Sequence, residues 1–202
     1  LTKSVQASIT PDKAIDILKA GNARFAANKP LRRNLKAQVQ TTALGQFPFA
    51  SVVGCIDSRA APELVFDQGI GDLFVARVAG NTVNPDILGS LEYAAKVAGS
   101  RVIVVLGHTG CGAVGATLDV LRDQTLLPGH IQNLIRSMKP GIGRELLSEE
   151  PHLEARAVVA NVRYNVRRLI HAEPILSARV AADELAVIGA VYDLTTGRVV
   201  RV

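Results

Sequence analysis

The chain holds only two cysteines and four histidines, and three of these six residues fall within two short motifs. Cys55 begins Cys55-Ile56-Asp57-Ser58-Arg59, and His108 begins His108-Thr109-Gly110-Cys111. Two thiolates, one imidazole and one carboxylate oxygen make a donor set suited to tetrahedral zinc. Each residue alone has a plainer use. The cysteines could be small buried hydrophobes or the two halves of one disulfide, and His108 could be a turn residue. A metal site requires that the fold bring Cys55, Asp57, His108 and Cys111 to one place.

The flanking pattern supplies such a fold. Ala50 to Gly54, Leu73 to Val78, Val102 to Leu106 and Leu185 to Val191 read as strands, the third as five consecutive aliphatics, as a strand covered on both faces requires. Helical segments lie between them: a short one from Pro62, one opened by Asn84-Pro85-Asp86 with Ile87, Leu88, Leu91, Ala95 and Ala98 on one face and Gly99 as its stop, one over 116–123 after a glycine-rich turn at 107–115, and a long one from Pro151 with a Val158, Val162, Val166, Leu169 stripe. A turn at Asp193 to Gly197 leads to a final edge strand. The predicted class is α/β: a central, mostly parallel sheet of about four strands plus a C-terminal antiparallel edge strand, flanked by helices. Ligands in such sheets bind beyond the strand carboxyl ends, where both motifs sit.

Ahead of the sheet, Thr10-Pro11-Asp12 starts one helix carrying Ile15, Leu18 and Phe25, and Asn34 caps a second with Leu35, Val39 and Leu44 expected inward. These helices are poor in apolar residues for an independent unit. Residues 1–45 therefore read as a helical arm that lies on something else, and 46–202 as a single α/β domain that carries the candidate zinc-binding motifs. The stretch 124–150 is polar, with a helical patch near Ile131 to Met138.

Composition excludes other classes. Apolar residues are 48% and charged residues 20% of 202, too apolar for a disordered chain. The longest apolar run, Leu185 to Tyr192, is far short of the roughly 20 residues of a membrane span. The net charge of +5 suits small anions, and its scattered basic residues lack the interleaved aromatics of a nucleic-acid surface. Gly110-Cys111-Gly112-Ala113-Val114-Gly115 spells a dinucleotide fingerprint, but the following strand that such a site needs is missing. The chain opens on Leu1, without an apolar signal core. A cytoplasmic protein is expected, with export after loss of an unseen signal as the alternative.

The two motifs together resemble the signature of the β-class carbonic anhydrases. The likeness runs from about Asp12 to Val202 and includes Gly21-Asn22-Ala23-Arg24-Phe25, Phe66-Asp67-Gln68-Gly69, Phe74-Val75-Ala76-Arg77, Leu91-Glu92-Tyr93-Ala94 and Gly189-Ala190-Val191-Tyr192-Asp193 followed by Thr196-Gly197. The resemblance implies that Cys55, His108 and Cys111 ligate one Zn2+ per chain and that Asp57 and Arg59 form the catalytic dyad. It implies that Gln46, Phe74, Tyr93 and Gly112 bind substrate, and that the N-terminal helices pack on a partner in a homodimer or dimer of dimers. The implied reaction is reversible hydration of carbon dioxide to bicarbonate and a proton, by attack of zinc-bound hydroxide. Asp57 would be a fourth ligand only in a closed form, and Arg59 would hold it away.

One departure bears on subclass. The subclass with a regulatory bicarbonate pocket has Trp three residues before its first cysteine. Here that residue is Val52, and the chain has no Trp, which implies the plant-like, open site. Hydrolysis of carbon disulfide or carbonyl sulfide, and a closed structural zinc module, are the alternative readings. His130, His152 and His171 lie in no motif and are expected at the surface.

Overall fold

The computed structural model describes residues 1–148 and 151–202. In chain order its elements are α1 (Lys3–Ser8), α2 (Pro11–Ala26), α3 (Leu35–Thr42), β1 (Ala50–Gly54), α4 (Pro62–Val65), β2 (Leu73–Arg77), α5 (Pro85–Lys96), β3 (Val102–His108), α6 (Gly112–Asp123), α7 (Ile131–Ile142), α8 (Leu153–Ile170), α9 (Ile175–Ala181), β4 (Ala186–Tyr192) and β5 (Val199–Arg201), with 3-10 turns at Ala79–Asn81 and Gly143–Leu147. The sheet order is β2-β1-β3-β4-β5. β1 pairs in parallel with β2 and β3, and β3 with β4, whereas β5 runs antiparallel to β4. This is the predicted α/β architecture.

The order reverses at β1: the chain steps to β2 on one side and returns to β3 on the other. The register pairs Gly54 with Leu106, so Cys55 and His108 emerge at the same sheet edge. Both central strands are buried along their whole length, because helices cover both faces. On one face α2 contributes Ile15 and Leu18 to a cluster with Val52 and Val104. On the other, Val162 and Leu169 of α8 and Leu91 of α5 meet Ile103 and Val105. A third cluster packs α6, α7 and α8 around Cys55 and Cys111.

The structure corrects several expectations. Helix α6 starts at Gly112, not 116, because Cys111 is its N-cap and its carbonyl already accepts from Gly115 N–H. Residues 112–115 of the glycine-rich run are therefore helix, which places a ligand candidate at a helix N-terminus. Leu35, Val39 and Leu44 do not point inward: all three are exposed, and α3 buries no residue. Helix α2 rests on its own chain's sheet. The α5 helix ends at Lys96, before Gly99. Helices α1 and α9 had no counterpart in the sequence pattern. No strand follows α6 among the described residues of 124–150, and the last two residues of that stretch lie outside them.

Candidate metal centre

Cys55 follows the last residue of β1, His108 is the last residue of β3, and Cys111 caps α6. All three are buried, with His108 and Cys111 each 1% exposed. Their ligating atoms lie within 4.8 Å of one another. Both thiols are free, so the disulfide alternative falls. His108 Nδ1 lies 3.0 Å from the Thr109 carbonyl. A proton on Nδ1 donates there and leaves the Nε2 lone pair facing the sulfurs, the usual way a protein fixes a ligating tautomer. Nε2 is buried and has no hydrogen-bond partner.

The electrostatics favour positive charge at this point. The hydrogen bond from Cys111 draws the Cys55 thiol well below its ordinary range, against burial, and His108 and the amides of Asp57 and Gly80 help. The same contact with Cys55, together with burial, pushes the Cys111 thiol up, while the amides of Val114 and Ala113 at the start of α6 pull the other way. Burial alone would depress His108. The Cys55 thiolate, the Thr109 carbonyl and Asp57 more than offset it, and the imidazole sits above its ordinary value. A buried nitrogen without a partner, beside two buried sulfurs, fits a divalent cation with a preference for sulfur and nitrogen.

Asp57 stands at the edge of this cluster. Its Oδ2 is 3.8 Å from His108 Nε2, but Arg59 holds it. Arg59 Nε donates to Oδ1 at 2.9 Å, Nη2 to Oδ2 at 2.7 Å, and the Arg59 amide to Oδ1 at 2.9 Å. The fork geometry is the strong form of a carboxylate–guanidinium pair. With burial opposing, the Arg59 hydrogen bond holds Asp57 far below the usual carboxylate range. The Asp57 carboxylate is turned to the arginine.

The remaining candidates divide. Gly112 opens α6 beside Cys111, exposed and with open space where a side chain would be. Phe74 and Tyr93 share a surface groove of about 820 Å³ with Pro85, Asp86 and Gly89. That groove does not include the Cys–His–Cys cluster. Gln46 is exposed in the loop after α3. His130, His152 and His171 are exposed.

Some contributors escape sequence reasoning. Arg77, at the carboxyl end of β2, donates to the carbonyls of Cys55 at 2.7 Å and Asp57 at 2.5 Å, clamping the loop that carries both. Gly80 N–H donates to Cys55 Sγ at 3.4 Å. Asn161 and Asn165, both fully buried on α8, bond to the turn containing Gly80 and to Val83. Their sequence signal was a pair of amides on an otherwise apolar stripe, which must find partners when buried.

The carbonic anhydrase family model matches residues 50–199. Carbonic anhydrase 2 of Mycobacterium tuberculosis is 39% identical over 194 residues, covering 94% of this chain and 92% of that protein. The carbonic anhydrase of Mycolicibacterium smegmatis is 40% identical over the same length and coverage. The solved β-carbonic anhydrase CcaA superposes with a TM-score of 0.72 at 26% identity, covering 82% of this chain and 84% of that one. The motifs, the sheet order and these relatives agree: the chain belongs to the β-carbonic anhydrase family.

Proposed function

We propose that this protein catalyses the reversible hydration of carbon dioxide, with one zinc ion held by Cys55, His108 and Cys111. The observation that carries the reading is the convergence of these three donors within 4.8 Å, at a buried imidazole nitrogen without a partner. When bound there, zinc supplies the Lewis acidity that makes hydroxide available near neutral pH, an effect best known from carbonic anhydrases with three histidine ligands.

The chain's own residues do the rest. Asp57 stays ionised because of Arg59, so its carboxylate accepts a hydrogen bond from the attacking oxygen and aims a lone pair at carbon dioxide. Arg59 keeps Asp57 off the fourth ligand position. Gly112 leaves open space beside Cys111 for a small substrate. Gln46, Phe74 and Tyr93 are proposed substrate-binding residues. Because Phe74 and Tyr93 line a groove that does not include the cluster, the proposal is that a second copy completes the pocket. On the same reading residues 1–45 serve as the arm and 46–202 as the catalytic domain, although α2 is tied into the sheet. Val52, in place of a Trp, supports the open subclass. No helix among the described residues is long and apolar enough to cross a membrane, and a cytoplasmic setting is proposed, with export as the alternative.

The test is stopped-flow carbon dioxide hydration followed with a pH indicator. His108→Ala, which removes a ligand, is expected to abolish both zinc retention and turnover. Full activity in that variant would refute the site.

A further inference from the structure

The Cys55 sulfur is not held by its own loop alone. Gly80 lies in the 3-10 turn Ala79–Asn81 after β2, with φ +71°. Its N–H points at Cys55 Sγ, 3.4 Å away. A β-carbon on Gly80 would clash with Met138 Sδ, so α7 closes the turn from one side. From the other side Asn161 Nδ2 donates to the Gly80 carbonyl at 2.8 Å. Asn161 is fully buried on α8, on the stripe of Val158 and Val162. Asn165, one turn on, donates to Asn161's carbonyl at 3.0 Å and to its side-chain oxygen at 3.3 Å, and its own oxygen accepts Val83 N–H at 3.1 Å. The two amides thus grip the turn at Gly80 and at Val83.

We infer that Asn161 is a positioning residue for the metal centre: by fixing the Gly80 backbone at its carbonyl it keeps the Gly80 N–H as a hydrogen-bond donor on the Cys55 thiolate and so sets how strongly that sulfur binds and donates to the metal. A buried side-chain amide in an apolar helix face is expensive unless its bonds are made. Here the bond made is to the carbonyl of Gly80, whose own N–H, on the preceding peptide group, reaches a ligand atom. An N–H on a thiolate draws electron density from the sulfur and fixes its direction. Such partners behind a metal ligand typically govern affinity or activity by about 10- to 100-fold. The inference rests on the reading of Cys55 as a metal ligand.

The test uses the whole chain, loaded with zinc and, separately, with cobalt(II). Zinc affinity is measured by competition with a chromophoric chelator, and the thiolate-to-cobalt charge-transfer band is recorded. Asn161→Ala is compared with Leu169→Ala, an equally buried α8 position whose side chain makes no hydrogen bond to the turn. Asn161→Ala should lower zinc affinity by about tenfold or more and shift the band, while Leu169→Ala should lose stability and leave both unchanged. Wild-type affinity and band in Asn161→Ala, or equal shifts in both variants, would overturn the inference. Should Asn161→Ala fail to fold, the wild type loaded with cadmium-113 decides. A scalar coupling between the Gly80 amide proton and the metal supports the relay, and its absence on an assigned Gly80 resonance overturns it. A wild type showing no sulfur-to-cobalt band would remove the ligand reading itself, and the relay with it.

Discussion

At the scale of single residues, the donors were legible because their types are rare and their spacing is tight. Cys55, His108 and Cys111 needed only the knowledge that β1 and β3 are neighbours. Asp57 and Arg59 were legible as a pair, but the three-point grip of Arg59 on the carboxylate was not, since it depends on how the loop turns after β1. Arg77 and Gly80, which bond to Cys55, and Asn161, which bonds to Gly80, act across sequence separations that no local pattern encodes. The Arg59 grip yields a prediction. Arg59→Ala frees Asp57 to swing toward the ligand cluster, where its Oδ2 already stands 3.8 Å from His108. kcat/KM should fall by about 10- to 100-fold, with zinc content unchanged by metal analysis. Arg59→Lys should recover only part of the loss, because an ammonium cannot present the planar fork. Unchanged kinetics in Arg59→Ala would count against the gate.

At the scale of elements, strand positions were legible from aliphatic runs, and helix starts from Thr10, Asn34 and Asn84, whose side chains accept from Lys13, Ala37 and Ile87 N–H respectively. The seven-residue α9, without a capping side chain, was not legible. The Gly21 to Phe25 motif was recognisable only as a resemblance, and the structure gives it physical content. A β-carbon on Gly21 would collide with the Phe66 carbonyl oxygen, so only glycine allows α2 to approach there. Asn22 bonds to Val65, Gly197 and Val199, and Phe25 stacks tilted on Tyr192. Arg24 and Arg33 both pair with Asp67, which is buried and also accepts Leu31 N–H. This clamp ties the segment after α2 to the end of α4. Burial alone would raise the Asp67 carboxyl, but Arg24 and Arg33 outweigh it and hold it below its ordinary value. A carboxylate depressed on folding stabilises the native state above its unfolded pKa, and that stability is lost as pH falls through the folded value. Asp67→Asn should therefore cost about 3 kcal/mol at pH 7, the low end for a broken buried pair, because both arginines are partly exposed. Urea melts should show the gap between wild type and variant full at pH 5 and above and narrowing as pH falls below about 4. A gap independent of pH would contradict the clamp.

For the whole molecule, one chain leaves work undone. Leu35, Val39 and Leu44, on and just after α3, are exposed, as are Tyr93 and Val97 near the outer groove. Where such residues form one contiguous patch, they mark an interaction site rather than free surface. The sequence signalled this only as helices too thin to stand alone. The inward placement of Leu35, Val39 and Leu44 failed because the chain offers them no cover of its own. Light scattering on the purified protein should give at least a dimer, and a mass of 21.4 kDa would contradict the shared pocket. The central claim concerns the metal and the reaction together. Its most direct test is to strip the protein with a chelator, add zinc in steps, and follow carbon dioxide hydration at pH 8 by stopped flow. Activity should be absent from the stripped protein and rise linearly to a plateau at one zinc per chain. Turnover that survives stripping, or a fully loaded protein that does not hydrate carbon dioxide, would contradict the account.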